Sequence, residues 1–144
     1  MEEIMYLDEQ DILDAHREGF TEFGGLDFGV AEGCVEKRAI EPEGFFGGVE
    51  LYPGLFRKAA VYMLRITISH CFSDGNKRAA FLSTDLFLKY NGYRFVVNQR
   101  ELYEYCLTIA DHETRPELED VEQWIYQNTQ PFILNEDELL DLLD

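Results

Sequence analysis

Basic residues are scarce in this chain. There are 12 Lys and Arg against 29 Asp and Glu in 144 residues, a formal charge of −17. A field of that sign repels phosphate backbones and anionic membranes, so nucleic-acid binding and membrane docking are not expected. A partner with a basic segment would be attracted. Cysteine is also scarce. Cys34, Cys71 and Cys106 are an odd set with no CxxC pair, which predicts reduced thiols rather than a disulfide framework or a zinc site. No apolar run approaches the length of a membrane span, and the acidic start Met1-Glu2-Glu3 is unlike a secretory signal. A cytoplasmic protein is expected. What the chain does have is apolar bulk. It is 46% hydrophobic and 14% aromatic, enough for the core of a single domain and too much for global disorder.

Periodicity divides the chain into helices. Asp8 can cap a helix whose Ile12, Ala15, Phe20 and Phe23 recur at helical spacing, ending at Gly24-Gly25. Val30 to Ile40 predicts a short second helix, stopped before Pro42. The segment from Gly44 to Pro53 mixes glycines with aromatics and predicts a hairpin or flap. Leu55 to His70 is apolar enough for a buried central helix, and Asn76 to Tyr90 predicts the next, closed by Asn91-Gly92. A brief extended piece is expected at Tyr93 to Val97. Asn98 caps a helix to about Ala110, and Pro116 opens one carrying Leu118, Val121, Trp124 and Ile125. There is no internal repeat. The fold class expected is all-α, with one small β excursion. Asn128 to Pro131 is expected as a break, followed by an acidic, leucine-rich tail. That gives a catalytic domain over 1–127 and a tail over 128–144, either lightly docked or a partner-binding or self-docking helix.

Reactive groups crowd together in one place, His70-Cys71-Phe72-Ser73-Asp74-Gly75-Asn76-Lys77-Arg78. A helix ends at a histidine, a tight loop follows, and Gly75 lets the backbone turn into the next helix. The free N–H groups and positive dipole end of that helix face the loop, an arrangement that binds phosphates. Lys77 and Arg78 add two cations where cations oppose the dipole and so call for an explanation. Asp74 could hold Mg²⁺, a hard cation that takes carboxylate and phosphate oxygens. His70 could take the proton of an incoming hydroxyl. Base, metal ligand, anion hole and phosphate clamp are what phosphoryl or nucleotidyl transfer requires. Singly, each residue has an ordinary structural use as a cap, a turn residue or a solvated charge; together they point to function. Phe72 is the exception and is expected to anchor the loop in the core. Cys71 beside a base also allows a nucleophile, but a phosphate clamp is poor company for acyl chemistry.

This motif resembles the signature of the Fic/Doc superfamily, His-x-Phe-x-Asp/Asn-Gly/Ala-Asn-Gly/Lys-Arg, at His70, Phe72, Asp74, Gly75, Asn76, Lys77 and Arg78. The resemblance extends to the death-on-curing (Doc) branch. It runs through Ala15-His16, Phe23-Gly24-Gly25, Gly29-Val30 and Gly33 near the start. It continues in Phe46-Gly47-Gly48, Leu51-Tyr52-Pro53 and Leu55-Phe56 with Lys58-Ala59-Ala60, and in Phe87-Leu88 with Asn91-Gly92-Tyr93. It covers about residues 6–127 and leaves the tail outside. AMP-transferring Fic enzymes resemble Gly-Asn-Gly-Arg-x-x-Arg here, whereas this chain has Lys77 for the second glycine and Phe81 for the second arginine. Both departures are similar to the Doc branch.

The resemblance implies a compact Fic/Doc helical domain with a β-hairpin flap, and a Mg-ATP-dependent protein serine/threonine kinase. His70 would be the general base, Asp74 the magnesium-linked acid, and Gly75, Asn76, Lys77 and Arg78 the phosphate binders, with backbone N–H groups of Gly75 to Lys77 as the anion hole. Phe46, Gly47, Gly48 and Val49 would align the target by adding a strand to it; the alternative is a hydrophobic lid over the core. The implied role is the toxin of a type II toxin–antitoxin system. It would phosphorylate a threonine of elongation factor Tu, halt translation, and be neutralised by an antitoxin whose disordered segment folds on it. An AMP-transferase of the Fic type and a non-catalytic Fic/Doc-shaped binding module are the alternatives.

Overall fold

The computed structural model describes residues 3–23, 29–132 and 136–143. Helix α1 is Glu9–Phe23, α2 is Cys34–Ile40 and a 3₁₀ turn spans Glu41–Glu43. Strands β1 (Phe45–Phe46) and β2 (Val49–Glu50) form the flap. Then come α3 (Leu55–Ile68), α4 (Asn76–Tyr90), β3 (Tyr93–Phe95), α5 (Gln99–Ala110), α6 (Leu118–Gln127), β4 (Thr129–Pro131) and α7 (Glu136–Leu143). This is the mostly helical architecture with a small hairpin that the periodicity and the resemblance imply.

The core is built around α3. Its residues Lys58–Leu64, Ile66 and Thr67 are buried, so the helix is enclosed on nearly every side, as its continuous apolar run requires. It packs against α4 and α6, while α4 also meets α1 and α5. The consecutive alanines Ala79 and Ala80 are fully buried in α4 and let helices approach closely. Tyr62 on α3 ties remote segments together: its hydroxyl donates to Ala39 O at 3.0 Å and accepts from Leu7 N–H at 3.0 Å.

Caps fall where the side chains direct them. Asp8 Oδ1 accepts from Asp11 N–H at 2.8 Å, and Asp11 Oδ2 accepts from Asp8 N–H at 3.0 Å, a reciprocal box that starts α1. Asn98 Oδ1 accepts from Glu101 N–H at 2.9 Å and starts α5. The expected stop of α1 at Gly24-Gly25 lies outside the described residues.

Four boundaries differ from the sequence reading. The helix expected to open at Pro116 starts at Leu118, because Glu117 and Asp120 form a capping box there. The second helix begins at Cys34, not Val30, because Gly33 takes a left-handed conformation (φ 75°) and Val30 is used in a β-bridge with Phe72. The central helix ends at Ile68, two residues before His70, for the backbone reason given below. Thr129–Pro131, expected as a break, pairs antiparallel with Tyr93–Phe95, Arg94 standing opposite Gln130. Single-chain periodicity carries no signal for so short a non-local pair.

Candidate functional site

The nine-residue loop owes its shape to a backbone that departs from helical geometry at its histidine. Ser69 closes α3, its N–H reaching Arg65 O at 3.0 Å, and His70 then adopts φ +53°. It is the one non-glycine residue at positive φ among those described. A left-handed side-chain-bearing residue costs on the order of 1–2 kcal/mol and persists only where the surroundings hold it. The holding contacts follow at once. Ala31 N–H reaches Cys71 O at 2.7 Å, Ser73 N–H reaches Gly29 O at 3.2 Å, and Val30 pairs with Phe72. Cys71 is joined to Cys34 in a disulfide, with the two Cα atoms 5.3 Å apart. This corrects the expectation of three reduced thiols; sequence spacing cannot show that the first residue of α2 lies beside the loop. It also removes Cys71 as a nucleophile.

Phe72 anchors the loop as expected. It is buried, and its ring lies flat against the buried His16 of α1, centroids 3.7 Å apart with planes 5° from parallel. Asn76 grips the same residue from the other side. Its Nδ2 donates to Phe72 O at 2.8 Å and its Oδ1 accepts from Phe72 N–H at 3.1 Å, as a paired strand would. The Asn76 amide therefore shapes the loop, and what this residue offers a ligand directly is its backbone N–H.

Asp74 stands exposed beyond this clamp. Its Oδ1 accepts from Gly75 N–H at 2.8 Å, while its carbonyl oxygen lies 2.8 Å from His16 Nε2. Gly75 turns the chain at φ 82° and precedes α4 with no side-chain cap. The first N–H groups of the helix, Asn76 and Lys77, have no intrahelical acceptor. The Arg78 guanidinium lies over the Tyr103 ring of α5 at 5.9 Å. Behind it, a Cβ on Gly19 would stand 3.0 Å from Arg78 Cβ, so α1 crosses here because that residue lacks a side chain. Asp74, Gly75, Asn76, Lys77, Arg78 and Tyr103 enclose a hollow of about 50 Å³. His70 lies outside that hollow and is exposed.

A larger cavity, about 400 Å³, opens between α1 and α4. Asp11, Asp14, Glu18 and Asp85 line it, and carboxylates in that number repel phosphate. The smaller hollow is the one whose chemistry suits an anion.

The flap is a tight hairpin. Phe45 pairs with Glu50 and Phe46 with Val49, and Gly47 and Gly48 at φ 59° and 82° form the two-residue turn. Phe46 and Val49 are 80% and 68% exposed, turned more to solvent than to the core. Lys58, only 1% exposed, closes the hairpin's base. Its Nζ donates to Tyr52 O at 2.6 Å and Pro42 O at 3.3 Å and lies 3.6 Å from Glu50 Oε1.

Sequence reasoning missed His16, Lys58 and Tyr103 as parts of this arrangement. Ile12, Ala15 and His16 fall on one helical face, a signal that could have placed the histidine inside; nothing in the sequence marks Tyr103.

The model of the Fic/DOC family matches residues 6–88, more than half of the chain. A protein of Mycolicibacterium smegmatis named Toxin Doc is 34% identical over 97 residues, covering 65% of this chain and 69% of its own length. Another, Protein kinase doc of Escherichia phage P1, is 30% identical over 115 residues, covering 75% of this chain and 84% of its own. The chain belongs to the Fic/DOC family, in its Doc branch.

Proposed function

We propose that this protein transfers the γ-phosphate of Mg-ATP to a protein hydroxyl, and that it acts as the toxin of a toxin–antitoxin pair. The target proposed is a threonine of elongation factor Tu, and the antitoxin would neutralise the enzyme through a disordered segment that folds on it. The names of the two relatives support this reading. The observation that carries it is the hollow at the start of α4, lined by Asp74, Lys77 and Arg78, with His70 exposed four residues before Asp74 in the same loop. Phe81, at the position of the second arginine of AMP-transferring relatives, is 1% exposed and sealed in the core. It offers no cationic clamp, which favours phosphate over AMP transfer.

The donor set suits magnesium brought in with substrate. Among the described residues Asp74 Oδ2 makes no hydrogen bond, and no cluster of three or more metal-ligating side chains gathers. A single carboxylate is a common protein share for magnesium, whose other ligands are phosphates and water. Mg-ATP, when bound, supplies the electrophilic γ-phosphoryl group and a neutralising cation. His70 takes the proton of the attacking hydroxyl as the new O–P bond forms. The bond to the bridging oxygen breaks and ADP leaves with its electron pair. Backbone N–H groups at the start of α4, with Lys77 and Arg78, meet the charge that gathers on the phosphoryl oxygens. The exposed edge of the flap pairs with the target segment and aligns its hydroxyl with His70. The cytoplasm, where the target resides, is the proposed place of action.

Purified protein with elongation factor Tu, Mg²⁺ and ATP labelled at either the γ- or the α-phosphate tests this. Transfer of the γ label alone, lost in His70→Ala, is expected. Transfer of the α label would replace the proposal with AMP transfer, and no transfer would reject this target.

A further inference from the structure

The Asp74–Gly75 peptide is held at both ends. At one end His16 Nε2 lies 2.8 Å from Asp74 O; at the other Gly75 N–H donates to Asp74 Oδ1 at 2.8 Å. A carbonyl oxygen carries no proton, so Nε2 is the donor and the imidazole holds its hydrogen there. The Asp74–Gly75 peptide is trans, as are all those among the described residues, so its C=O and N–H point in opposite directions from one rigid plane. Fixing the oxygen fixes the direction of the N–H.

That plane needs fixing. A glycine at φ 82° follows it, and glycine tolerates the rotated conformation nearly as well. A half-turn of the peptide would take the N–H away from the acid and present a carbonyl oxygen to the phosphate hollow. His16 is well placed to prevent this. It is 4% exposed, its ring is stacked on Phe72, and it sits in the rigid α1, 58 residues away in sequence. A hydrogen bond to the carbonyl also polarises the peptide and strengthens its N–H as a donor.

We infer that His16 is a positioning residue that locks the Asp74–Gly75 peptide so that its N–H holds the Asp74 carboxylate in place. The catalytic part of this inference rests on the phosphoryl-transfer reading above; the conformational part does not.

The test uses the full chain and three measurements. In ligand-free wild-type protein, long-range ¹H–¹⁵N spectra should show His16 as the Nε2–H tautomer; the Nδ1–H tautomer would overturn the inference without any variant. His16→Phe keeps an aromatic ring and removes the donor, and His16→Gln restores an N–H donor. The Gly75 amide proton, hydrogen-bonded to a carboxylate, should lie downfield in wild type and His16→Gln. In His16→Phe it should move upfield and exchange faster, with the Ala79 and Ala80 amides unchanged. In transfer assays, His16→Phe should lower kcat roughly 10- to 100-fold, the loss typical when the support of a metal-linked carboxylate is removed, with KM for the target protein unchanged. His16→Gln should recover most of it. An unchanged Gly75 amide in folded His16→Phe, or a loss of kcat that His16→Gln does not recover, overturns the inference. If wild type transfers no phosphate, the proposed function fails while the Gly75 amide still decides the role of His16.

Discussion

Reducing the Cys34–Cys71 disulfide should cost more in stability than in loop geometry. The bridge joins residues 37 apart, the first residue of α2 to the loop beside His70. Closing a loop of that length restricts the unfolded chain by about 4 kcal/mol on the chain-entropy account. In a protein of this size about 1 kcal/mol moves Tm by roughly 3 °C, so reduction should lower it by roughly 10 °C. The loop itself keeps other ties. Ala31 N–H to Cys71 O, Ser73 N–H to Gly29 O and the Asn76 grip on Phe72 involve no sulfur. Folded, reduced protein should therefore retain its Gly75 amide signal and its transfer rate at 25 °C. The assay is a thermal melt by near-ultraviolet dichroism, with and without a phosphine reductant, repeated on Cys34→Ser/Cys71→Ser. Cys106 does not confuse it: burial pushes its thiol up to about 12, so it stays unreactive while the protein is folded. Thiol titration of the unfolded, air-oxidised protein should find Cys106 alone. Finding all three cysteines reactive, or a Tm shift below about 2 °C on reduction, would refute the reasoning.

Two further outcomes are expected. Lys58→Met leaves the carbonyls of Pro42 and Tyr52 without their buried donor, which should cost about 1–3 kcal/mol. Urea melts should show the loss, and limited proteolysis should show faster cleavage within 44–52; an unaltered cleavage pattern would mean that Lys58 does not hold the flap. Asp11 gives a pH signature. Burial raises its carboxyl above 3.8, with Asp8 adding repulsion, so the fold favours the protonated form. Its contribution is fully present below 3.8 and is lost as pH rises through the raised value. The urea midpoint of Asp11→Asn should therefore gain on that of wild type as pH climbs through this window; a constant difference would show that Asp11 titrates normally.

The helices were legible because their signals are local. Asp8 and Asn98 cap where they stand, the apolar run of α3 is buried as its composition demands, and Gly75 turns where a turn is needed. The loop was legible as a candidate site for the same reason, since His70, Asp74, Lys77 and Arg78 stand within nine residues. What the sequence could not show depends on chain segments meeting across long separations. The bridge from Cys34 to Cys71, the pairing of β3 with β4 and the bond from His16 to Asp74 are all of that kind. Asn76 illustrates the difference within the motif. The resemblance implied a phosphate binder, whereas its side-chain amide is occupied by the Phe72 peptide group four residues back.

The grip on Phe72 bears on when, in the life of a molecule, reactivity can begin. Its ring is met from α1, its backbone by residue 30 and by the first residue of α4. A chain still emerging from the ribosome carries the motif before it has α4 to fold against, and so has the letters of the site without its geometry. Truncated products ending before Asn76 would be inert for the same reason. For the toxin proposed above, spontaneous loss of activity in a growing population should accordingly be traced not only to the nine-residue loop. It should also be traced to α1 and to the short stretch around Val30, where a change leaves every reactive group in place and none of them aimed.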